Sequence, residues 1–216
     1  MTIIAFYYLL RVGEYTYHNP KAKRKTRQFG IDDVAFWHET TKIPQTKSTK
    51  YLIAKCTAAT LSVKNQKNED KNKSVHQEAL KGPLCPIQAL IRRVKEIRRL
   101  TRNPTACLGT YFDESKQEIR LLNANDITAA IRQSWDDLKL HKKGLTKNLV
   151  SSHSLRAGGA MAMYLNGVPH DTIRKMGRWK SDTFLMYIHK QIAVLSAGIT
   201  SKMSNKFPFH NIQFQR

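Results

Sequence analysis

Three residues in the last third of the chain carry the side chains that phosphodiester chemistry needs. His153 and Arg156 are three residues apart, a spacing that places both side chains on one face of a helix. A guanidinium stabilises charge on a phosphate under attack, and an imidazole accepts a proton. The phenol of Tyr187 becomes a nucleophile once cations lower its pKa of about 10. Singly, such a pair is usually a surface pair, and such a Tyr is usually part of a core.

The sequence around these residues predicts three short helices that position them. Small residues at 157–160 follow the His–Arg pair and let another backbone or a DNA strand come close, and Gly167 is placed to end the first helix. The second helix covers 169–177, between a Pro near its start and a Gly at its stop. Ser181 or Asp182 can cap the third helix, which carries the tyrosine.

This ordered set resembles the catalytic segment of the tyrosine recombinases, also called the phage integrase family. The family pattern is H-x-x-R, a short helix that ends in Gly, a His or Trp, and then a Tyr nine residues later. His153 and Arg156 match the first pair, and Tyr187 matches the nucleophile. The run GRWKSDTFLMYI is most similar to Cre-like members and to Crypton-type or DIRS-type members from eukaryotic mobile elements.

The chain departs from the family pattern at the His or Trp position. The residue nine before the tyrosine is Arg178, and Trp179 is its neighbour. Either the indole N–H of Trp179 reaches the phosphate after a one-residue shift, or Arg178 adds a third guanidinium. We favour Trp179, because an indole N–H usually finds a partner when it is buried, whereas another buried guanidinium carries a large desolvation cost. Trp179 could also be a core residue beneath the helix of the tyrosine.

The resemblance implies two further catalytic residues. LLRVGEY resembles the segment with the family's first catalytic Arg, which makes Arg11 the candidate, with Glu14 at an acidic position three residues later. By themselves these two residues could form a local ion pair, worth only a few tenths of a kcal/mol if exposed. The family's catalytic Lys lies on a β-hairpin, for which Lys47 in QTKST aligns best and Lys50 is the second choice.

The composition favours a polyanionic partner. The chain of 216 residues has 37 Lys and Arg against 16 Asp and Glu, a formal net charge of +21 and a pI near 10.1. Such an imbalance argues for a polyanion, and the resemblance implies that this partner is double-stranded DNA, although a plain RNA-binding or ribosomal-type protein can be equally basic.

The cysteines and the hydropathy pattern bear on location. Cys56, Cys85 and Cys107 are widely spaced and form neither a metal pattern nor a disulfide framework, which favours a reducing compartment. No apolar run reaches membrane-spanning length. We therefore expect an intracellular protein of a DNA-containing compartment, the nucleus in a eukaryote, that does not bind membranes.

The predicted fold class is α+β, mostly helical. Apolar spacing predicts a buried helix at 2–11 and amphipathic helices at 86–100 and about 126–140. A further short helix is predicted at 192–203, after the tyrosine.

The strand signals are confined to one part of the chain. Strand-like runs at 31–37, 41–45 and 51–56 predict a small antiparallel sheet on one edge, with a hairpin turn at TKST. Residues 64–79 are almost without apolar side chains and are predicted to be an exposed insertion without chemistry.

The domain organisation follows from the resemblance. It implies a tyrosine recombinase catalytic domain at 1–200, without the N-terminal core-binding domain of the family, and a C-terminal tail at 201–216. The tail carries Phe207, Phe209 and Phe214, which can pack on their own domain or dock into the next protomer. The latter predicts a homo-tetramer on paired DNA sites.

The expected function is site-specific DNA breakage and rejoining through a 3′-phosphotyrosine, in DNA recombination and integration. Arg11 and Arg156 stabilise the phosphate, Lys47 protonates the leaving 5′ oxygen, and His153 shares the proton of Tyr187. No metal or other cofactor and no ATP is expected, because the covalent link conserves the bond energy. Two alternatives remain: a type IB topoisomerase-like enzyme, and a catalytically inactive DNA-binding relic of a mobile-element integrase.

Overall fold

The fold is mixed α+β, with more residues in helices than in strands. The computed structural model describes residues 1–17, 26–64, 73–143 and 146–188, without the side chains of 187 and 188. The seven α-helices of this part of the chain are α1 Thr2–Tyr7, α2 Thr49–Lys55, α3 Pro86–Leu100, α4 Ala124–Asp137, α5 His153–Leu165, α6 His170–Gly177 and α7 Leu185–Ile188.

The strands form two antiparallel sheets. They are β1 Val34–His38, β2 Thr41–Ile43, β3 Ala58–Val63, β4 Lys73–Glu78, β5 Thr110–Asp113 and β6 Glu118–Leu121. The larger sheet has the order β2-β1-β3-β4, in which Phe36 of β1 lies opposite Ala59 of β3, and β5 pairs with β6 alone. Short 3-10 turns at Val12–Glu14, Ile31–Asp33 and Asp182–Phe184 connect several elements.

The main core lies between the larger sheet and helices α1 and α3. Helix α3 was predicted with the observed bounds: Pro86 stands at its first turn, and its apolar residues recur on the buried face. That face consists of Ile87, Leu90, Ile91, Val94 and Ile97. The hydroxyl of Tyr8 donates to the carbonyl of Ala59 at 3.0 Å, which ties the end of α1 to the sheet.

Helix α1 is shorter than the predicted 2–11, because the chain turns sharply after it. Leu9 adopts a left-handed conformation with φ 48°. Its N–H donates to the carbonyl of Phe6 at 3.3 Å, and the N–H of Leu10 donates to Ala5 at 2.9 Å. These two hydrogen bonds are those of a Schellman motif, which ordinarily has Gly at the left-handed position. The apolar pattern continues past the helix because the turn itself is buried.

The prediction of a strand at 51–56 was wrong. These residues belong to α2, whose N-cap Ser48 accepts a hydrogen bond from the N–H of Tyr51 at 3.2 Å. Leu52 is the residue that α2 buries in the core. The cap and the single buried position favour a helix, and the strand that pairs with β1 comes later, as β3. The hairpin turn predicted at TKST is therefore the entry to a helix.

The prediction for 64–79 was wrong in part. Residues 73–78 form β4, which pairs with β3 along its whole length, with Leu61 opposite Val75. Val75 is the residue of β4 that is buried. An edge strand can be this polar, because backbone hydrogen bonds to β3 stabilise it and charged side chains suit a solvent-exposed edge. Residues 65–72 lie outside the described part of the chain.

The three helices predicted around the catalytic candidates are present as α5, α6 and α7, the last preceded by a 3-10 turn. None of the helices in the described ranges is long and apolar enough to cross a membrane. The predicted helix at 192–203 and the tail at 201–216 lie outside the described residues.

Candidate functional site

Three arginines from distant parts of the sequence meet where α1, α5 and α6 come together. Arg11 precedes the turn Val12–Glu14, Arg156 lies in α5, and Arg178 follows the last residue of α6. We call these three residues, together with Glu14, the arginine cluster. Packing of α1 against α5 and of α5 against α6 brings its members together.

The backbone at two helix ends supplies acceptors for this cluster. Leu9 after α1 and Arg178 after α6 both have left-handed backbones, with φ 48° and φ 57°. The carbonyl of Leu9 accepts hydrogen bonds from Nη1 of Arg156 and, at 3.3 Å, from Nη2 of Arg178. The carbonyl of Arg178 accepts from Nη2 of Arg11 at 3.2 Å. Strained, non-glycine backbones of this kind concentrate at functional sites.

Glu14 is the anion of the cluster and is fully buried. Its Oε1 lies 3.2 Å from Nη1 of Arg11, and its Oε2 accepts from the backbone N–H of Arg11 at 2.8 Å and from Nη2 of Arg178 at 2.7 Å. A carboxylate that is removed from water needs such partners. The possibility that Arg11 and Glu14 form only a local surface pair is therefore excluded, because Glu14 also binds a distant arginine.

Arg156 is buried, with 2% of its surface exposed. Its Nη1 and Nη2 donate to the carbonyls of Leu9 and Gly177. The ring of Trp179 lies over the guanidinium, with 4.2 Å between Cζ and the ring centroid, a cation–π arrangement. The tryptophan therefore covers Arg156 on one side while backbone carbonyls bind it on another.

Gly177 makes room for that tryptophan. A Cβ at Gly177 would collide with the six-membered ring of Trp179. The Trp179 ring also lies 5.6 Å from the ring of Phe184, in the turn that leads into α7. Trp179 therefore links Arg156 to the segment that carries Tyr187, and a side chain at position 177 would break this link.

Arg178 and Trp179, the two residues at the family's His or Trp position, point in different directions. Arg178 is 3% exposed and reaches inward to Glu14, whereas Trp179 is half-buried over Arg156. Arg178 therefore faces the interior of the cluster. Phosphate contact by the Trp179 indole stays a prediction.

His153 is the first residue of α5 and is exposed. Partial burial of the imidazole, followed in importance by the positive charge of Arg156, lowers the pKa of His153 below its ordinary value. A lowered pKa keeps the imidazole neutral at neutral pH. In that form it can accept a proton.

Tyr187 lies in α7, which packs against α5, the helix of His153 and Arg156. Its side chain is outside the described part of the structure. The other tyrosine of this region, Tyr164, has its ring stacked on that of His170 with centroids 5.3 Å apart. It belongs to a small apolar cluster, as the ordinary explanation of a helical Tyr predicts.

Lys47 lies in the turn between β2 and α2, and Lys50 lies in the first turn of α2. The ammonium of Lys47 sits 5.5 Å from the ring centroid of Tyr51. Within the described residues, neither lysine makes a hydrogen bond or ion pair to the arginine cluster. The role of Lys47, or of Lys50 as the second choice, stays a prediction.

Lys64 is a further candidate for a proton-donating lysine, and the sequence did not predict it. It directly follows β3, where the connection to β4 begins, and its Nζ lies 2.5 Å from Asp32 and 2.7 Å from Asp33. Hydrogen bonds to Asp32 and then Asp33 raise the pKa of Lys64 above its ordinary value. The alternation of apolar residues at 58–63, followed by a polar run, was the available signal for this hairpin.

Comparison with known proteins adds no family to these observations. No protein-family model matches the chain, and no curated protein is significantly similar to it. Within the described ranges, no three His, Cys, Asp or Glu side chains are grouped to hold a metal ion. The function must be inferred from the residues themselves and from their geometry.

Proposed function

We propose that this chain is the catalytic portion of a DNA-breaking and rejoining enzyme of the tyrosine recombinase type, with that family's catalytic-core fold. The observation that carries the proposal is the convergence of Arg11, Arg156, Arg178 and Trp179 beside the helix that precedes Tyr187. Four residues selected from three sequence motifs meet in one place, as a shared site requires.

The proposed reaction has one attacking and one leaving oxygen. The phenolic oxygen of Tyr187 attacks the phosphorus, and its proton passes to the neutral imidazole of His153. Arg11 and Arg156 stabilise the charge on the non-bridging oxygens. The bond from phosphorus to the 5′ oxygen breaks, and a lysine ammonium donates a proton to that oxygen. A free 5′-hydroxyl reverses the step and rejoins the DNA.

Two lysines are candidates for that proton donor. Lys47 is supported by its alignment, and Lys64 is supported by its place at the end of β3 from which the chain crosses to β4, since the family's lysine lies on a hairpin. The ion pairs of Lys64 with Asp32 and Asp33 keep its ammonium protonated at neutral pH, which a general acid requires. The pairs must open when DNA binds if this lysine is to reach the 5′ oxygen.

The partner in this proposal is double-stranded DNA, and the products are recombined or integrated DNA. A net charge of +21 supplies the long-range attraction to phosphates that such binding uses. We further propose a protomer of a tetramer on paired sites, with the catalytic domain at 1–200, exchange of the tail at 201–216, and a place in a DNA-containing compartment.

A second candidate function is DNA binding without catalysis. The observation that favours it is the burial of Arg156, whose two Nη groups are bound by carbonyls of Leu9 and Gly177 and whose guanidinium is covered by Trp179. If this arrangement persists on DNA, Arg156 stabilises the fold rather than a phosphate. The catalytic proposal requires Trp179 to move from the guanidinium when DNA binds.

Covalent capture on DNA decides between the two. Suicide duplexes, in which the released 5′ end diffuses away, should trap a protein–DNA adduct with the wild-type chain. Tyr187→Phe should abolish the adduct and keep duplex affinity, because it removes only the attacking oxygen. Tyr164→Phe is the matched control and should still form the adduct, because Tyr164 packs on His170. An adduct lost in Tyr164→Phe but kept in Tyr187→Phe would make the assignment of the nucleophile wrong.

A further inference from the structure

Arg178 occupies a backbone position that ordinarily favours glycine. Its N–H donates to the carbonyl of Lys175 at 3.1 Å, and the N–H of Trp179 donates to Arg174 at 3.0 Å, the two hydrogen bonds of a Schellman motif at the end of α6. With φ 57°, Arg178 is the left-handed residue of that motif. A residue with a Cβ is disfavoured there, so the arginine side chain must contribute something that glycine could not.

Its contacts show what that contribution is. Nη2 of Arg178 binds Oε2 of Glu14 at 2.7 Å, and both side chains are 1% exposed. Arg11, on the other oxygen of Glu14, retains 24% of its side-chain surface exposed. Arg178 also presents its backbone carbonyl to Nη2 of Arg11 at 3.2 Å. Arg178 is therefore connected to Arg11 in two ways: indirectly, because both bind the Glu14 carboxylate, and directly, because its carbonyl accepts a hydrogen bond from Arg11.

The charges of Glu14 and Arg178 affect where the Arg11 guanidinium lies. Glu14 carries one negative charge and attracts both arginines. With Arg178 bound to Oε2, the carboxylate is balanced from the interior, and Arg11 is held at the solvent side of the pair. Loss of Arg178 would remove the cation that binds Oε2 and would strengthen the pull of the buried carboxylate on the Arg11 guanidinium at Oε1, because a buried charge that loses a partner is strongly unfavourable.

We propose that Arg178 is a positioning residue for Arg11: it neutralises Glu14 from inside the fold and so holds the Arg11 guanidinium where a DNA phosphate can reach it. This inference rests on the proposed function, since it takes Arg11 as a phosphate ligand. Arg178 itself does not contact the DNA. The inference assigns the residue at the family's His or Trp position a different task from phosphate binding.

A double-mutant cycle on duplex DNA affinity tests the proposal. Arg178→Met should weaken binding about tenfold, the loss expected when one charged hydrogen bond to a phosphate is misplaced, and should lower the slope of log K against log salt by about one unit. In an Arg11→Met background the same change should have no further effect, because the proposed role acts through the Arg11 guanidinium. Glu14→Gln added to Arg178→Met should restore most of the affinity, because Arg11 is no longer drawn inward.

Arg174→Met is the matched control. Arg174 lies on the same helix, and its ion pair with Asp171 is exposed, at 2.7 Å. Its effect on affinity, whatever its size, should be the same in the wild-type and Arg11→Met backgrounds. The proposal is overturned if Arg178→Met behaves in the same additive way, which would mean direct phosphate contact, or if it leaves DNA affinity unchanged.

Two variants keep the test informative if Arg178→Met fails to fold. Arg178→Gly relieves the left-handed backbone and keeps the carbonyl that binds Arg11. The double variant Glu14→Gln with Arg178→Met replaces the buried ion pair by neutral groups of similar shape, which folded proteins commonly tolerate. Circular dichroism selects the folded variants. In them, Arg178→Gly should show the affinity loss of Arg178→Met, and Glu14→Gln should reverse it.

The readout also separates this proposal from the proposed function. DNA affinity and its salt slope can be measured whether or not a covalent adduct forms. If the wild-type chain gives no adduct but the cycle shows coupling between Arg178 and Arg11, the strand-breaking function fails and the positioning role stands. If the adduct forms and the cycle is additive, the function stands and the positioning role fails.

Discussion

The sheet region and the helical region of α5 to α7 are stabilised in different ways. The sheet region, with α1 and α3, buries a continuous apolar cluster that includes Phe36, Leu61 and Leu90. In the part of the chain that the structure describes, the apolar cluster of the helical region fully buries only Ala160, Ile173 and Phe184, with partly buried side chains packed around them. Among the described residues, the sheet region therefore has a large apolar core and the region of α5 to α7 has a small one.

Polar contacts to the sheet region add to the small apolar core of α5 to α7. The carbonyl of Leu9, at the end of α1, accepts from Arg156 and Arg178, and Glu14 pairs with Arg178. The comparison teaches that apolar burial builds the scaffold, whereas α5 to α7 are attached to it by charged side chains bound to backbone carbonyls as well as by apolar contacts such as that of Leu155. The candidate site lies where these two kinds of stabilisation meet.

The largest expected effect is in the sheet region. Leu90→Ala in α3 removes a side chain that is fully buried, and should lower the free energy of unfolding by about 2–5 kcal/mol. Denaturant titration followed by circular dichroism should show a lower midpoint for the whole protein. Leu80→Ala, at a position 46% exposed, is the control and should change stability by no more than about 0.5 kcal/mol. Equal losses would contradict the assignment of this core.

The boundary between the regions can be tested with two adjacent glycines of α5. A Cβ at Gly159 would lie 2.5 Å from the carbonyl oxygen of Phe6, which cannot move without shifting α1. Gly159→Ala should therefore lower the free energy of unfolding by about 1–3 kcal/mol. It should also lower DNA affinity, because a shift of α5 displaces Arg156, which lies in this helix.

Gly158→Ala is the matched control for this change. A Cβ there would meet the Phe6 ring at 3.5 Å, an ordinary contact. Because Ala is the better helix former, Gly158→Ala should raise stability by about 0.4–1 kcal/mol. Thermal unfolding of both variants provides the measurement. Similar melting temperatures would mean that α1 and α5 are not in close contact in solution.

The region of α5 to α7, with its small apolar core, should unfold locally. Ile173→Ala in α6 removes a fully buried side chain of the small cluster and should cost about 2 kcal/mol, at the low end for this type of change, because its neighbours are only partly buried. Hydrogen exchange should accelerate in α5 and α6 while α3 and the larger sheet stay protected. Uniform acceleration in both regions would show that they unfold as one unit and that the comparison does not extend to dynamics.

The smallest effect concerns the protonation of His153. Since the pKa of His153 is lowered in the fold, protonation favours the unfolded chain, so its contribution to stability is present above the unfolded pKa of about 6.5 and is lost as pH falls through the lower folded pKa. Adduct formation should fall over the same range, below pH 6.5, because a protonated imidazole cannot accept the proton of Tyr187. His153→Gln should abolish this fall in adduct formation at low pH, and His141→Gln should leave it unchanged.

The sequence predicted the elements whose signals are local. Pro86 and the regular apolar spacing defined α3 at its observed bounds, and the H-x-x-R helix and the Gly177 stop are both present. It misassigned 51–56, because a short apolar run fits a helix or a strand equally well and Ser48 decided for the helix. It also missed β4, because a strand with one buried residue is stabilised by pairing with its neighbour, which no local pattern shows.

By itself, then, the sequence determined the residue types available for phosphate chemistry, their order, the basic charge and most helix positions, because these depend on composition and on contacts between near neighbours. Only the tertiary structure decided the partners of the charged side chains. Arg178 could have reached a phosphate or the interior, and packing of α5 against both α1 and α6 brought it to Glu14, 164 residues away. Trp179 came over Arg156 because Gly177 leaves room for its ring. Such contacts depend on the distance between helices that are far apart in the chain, and local propensity carries no information about that distance.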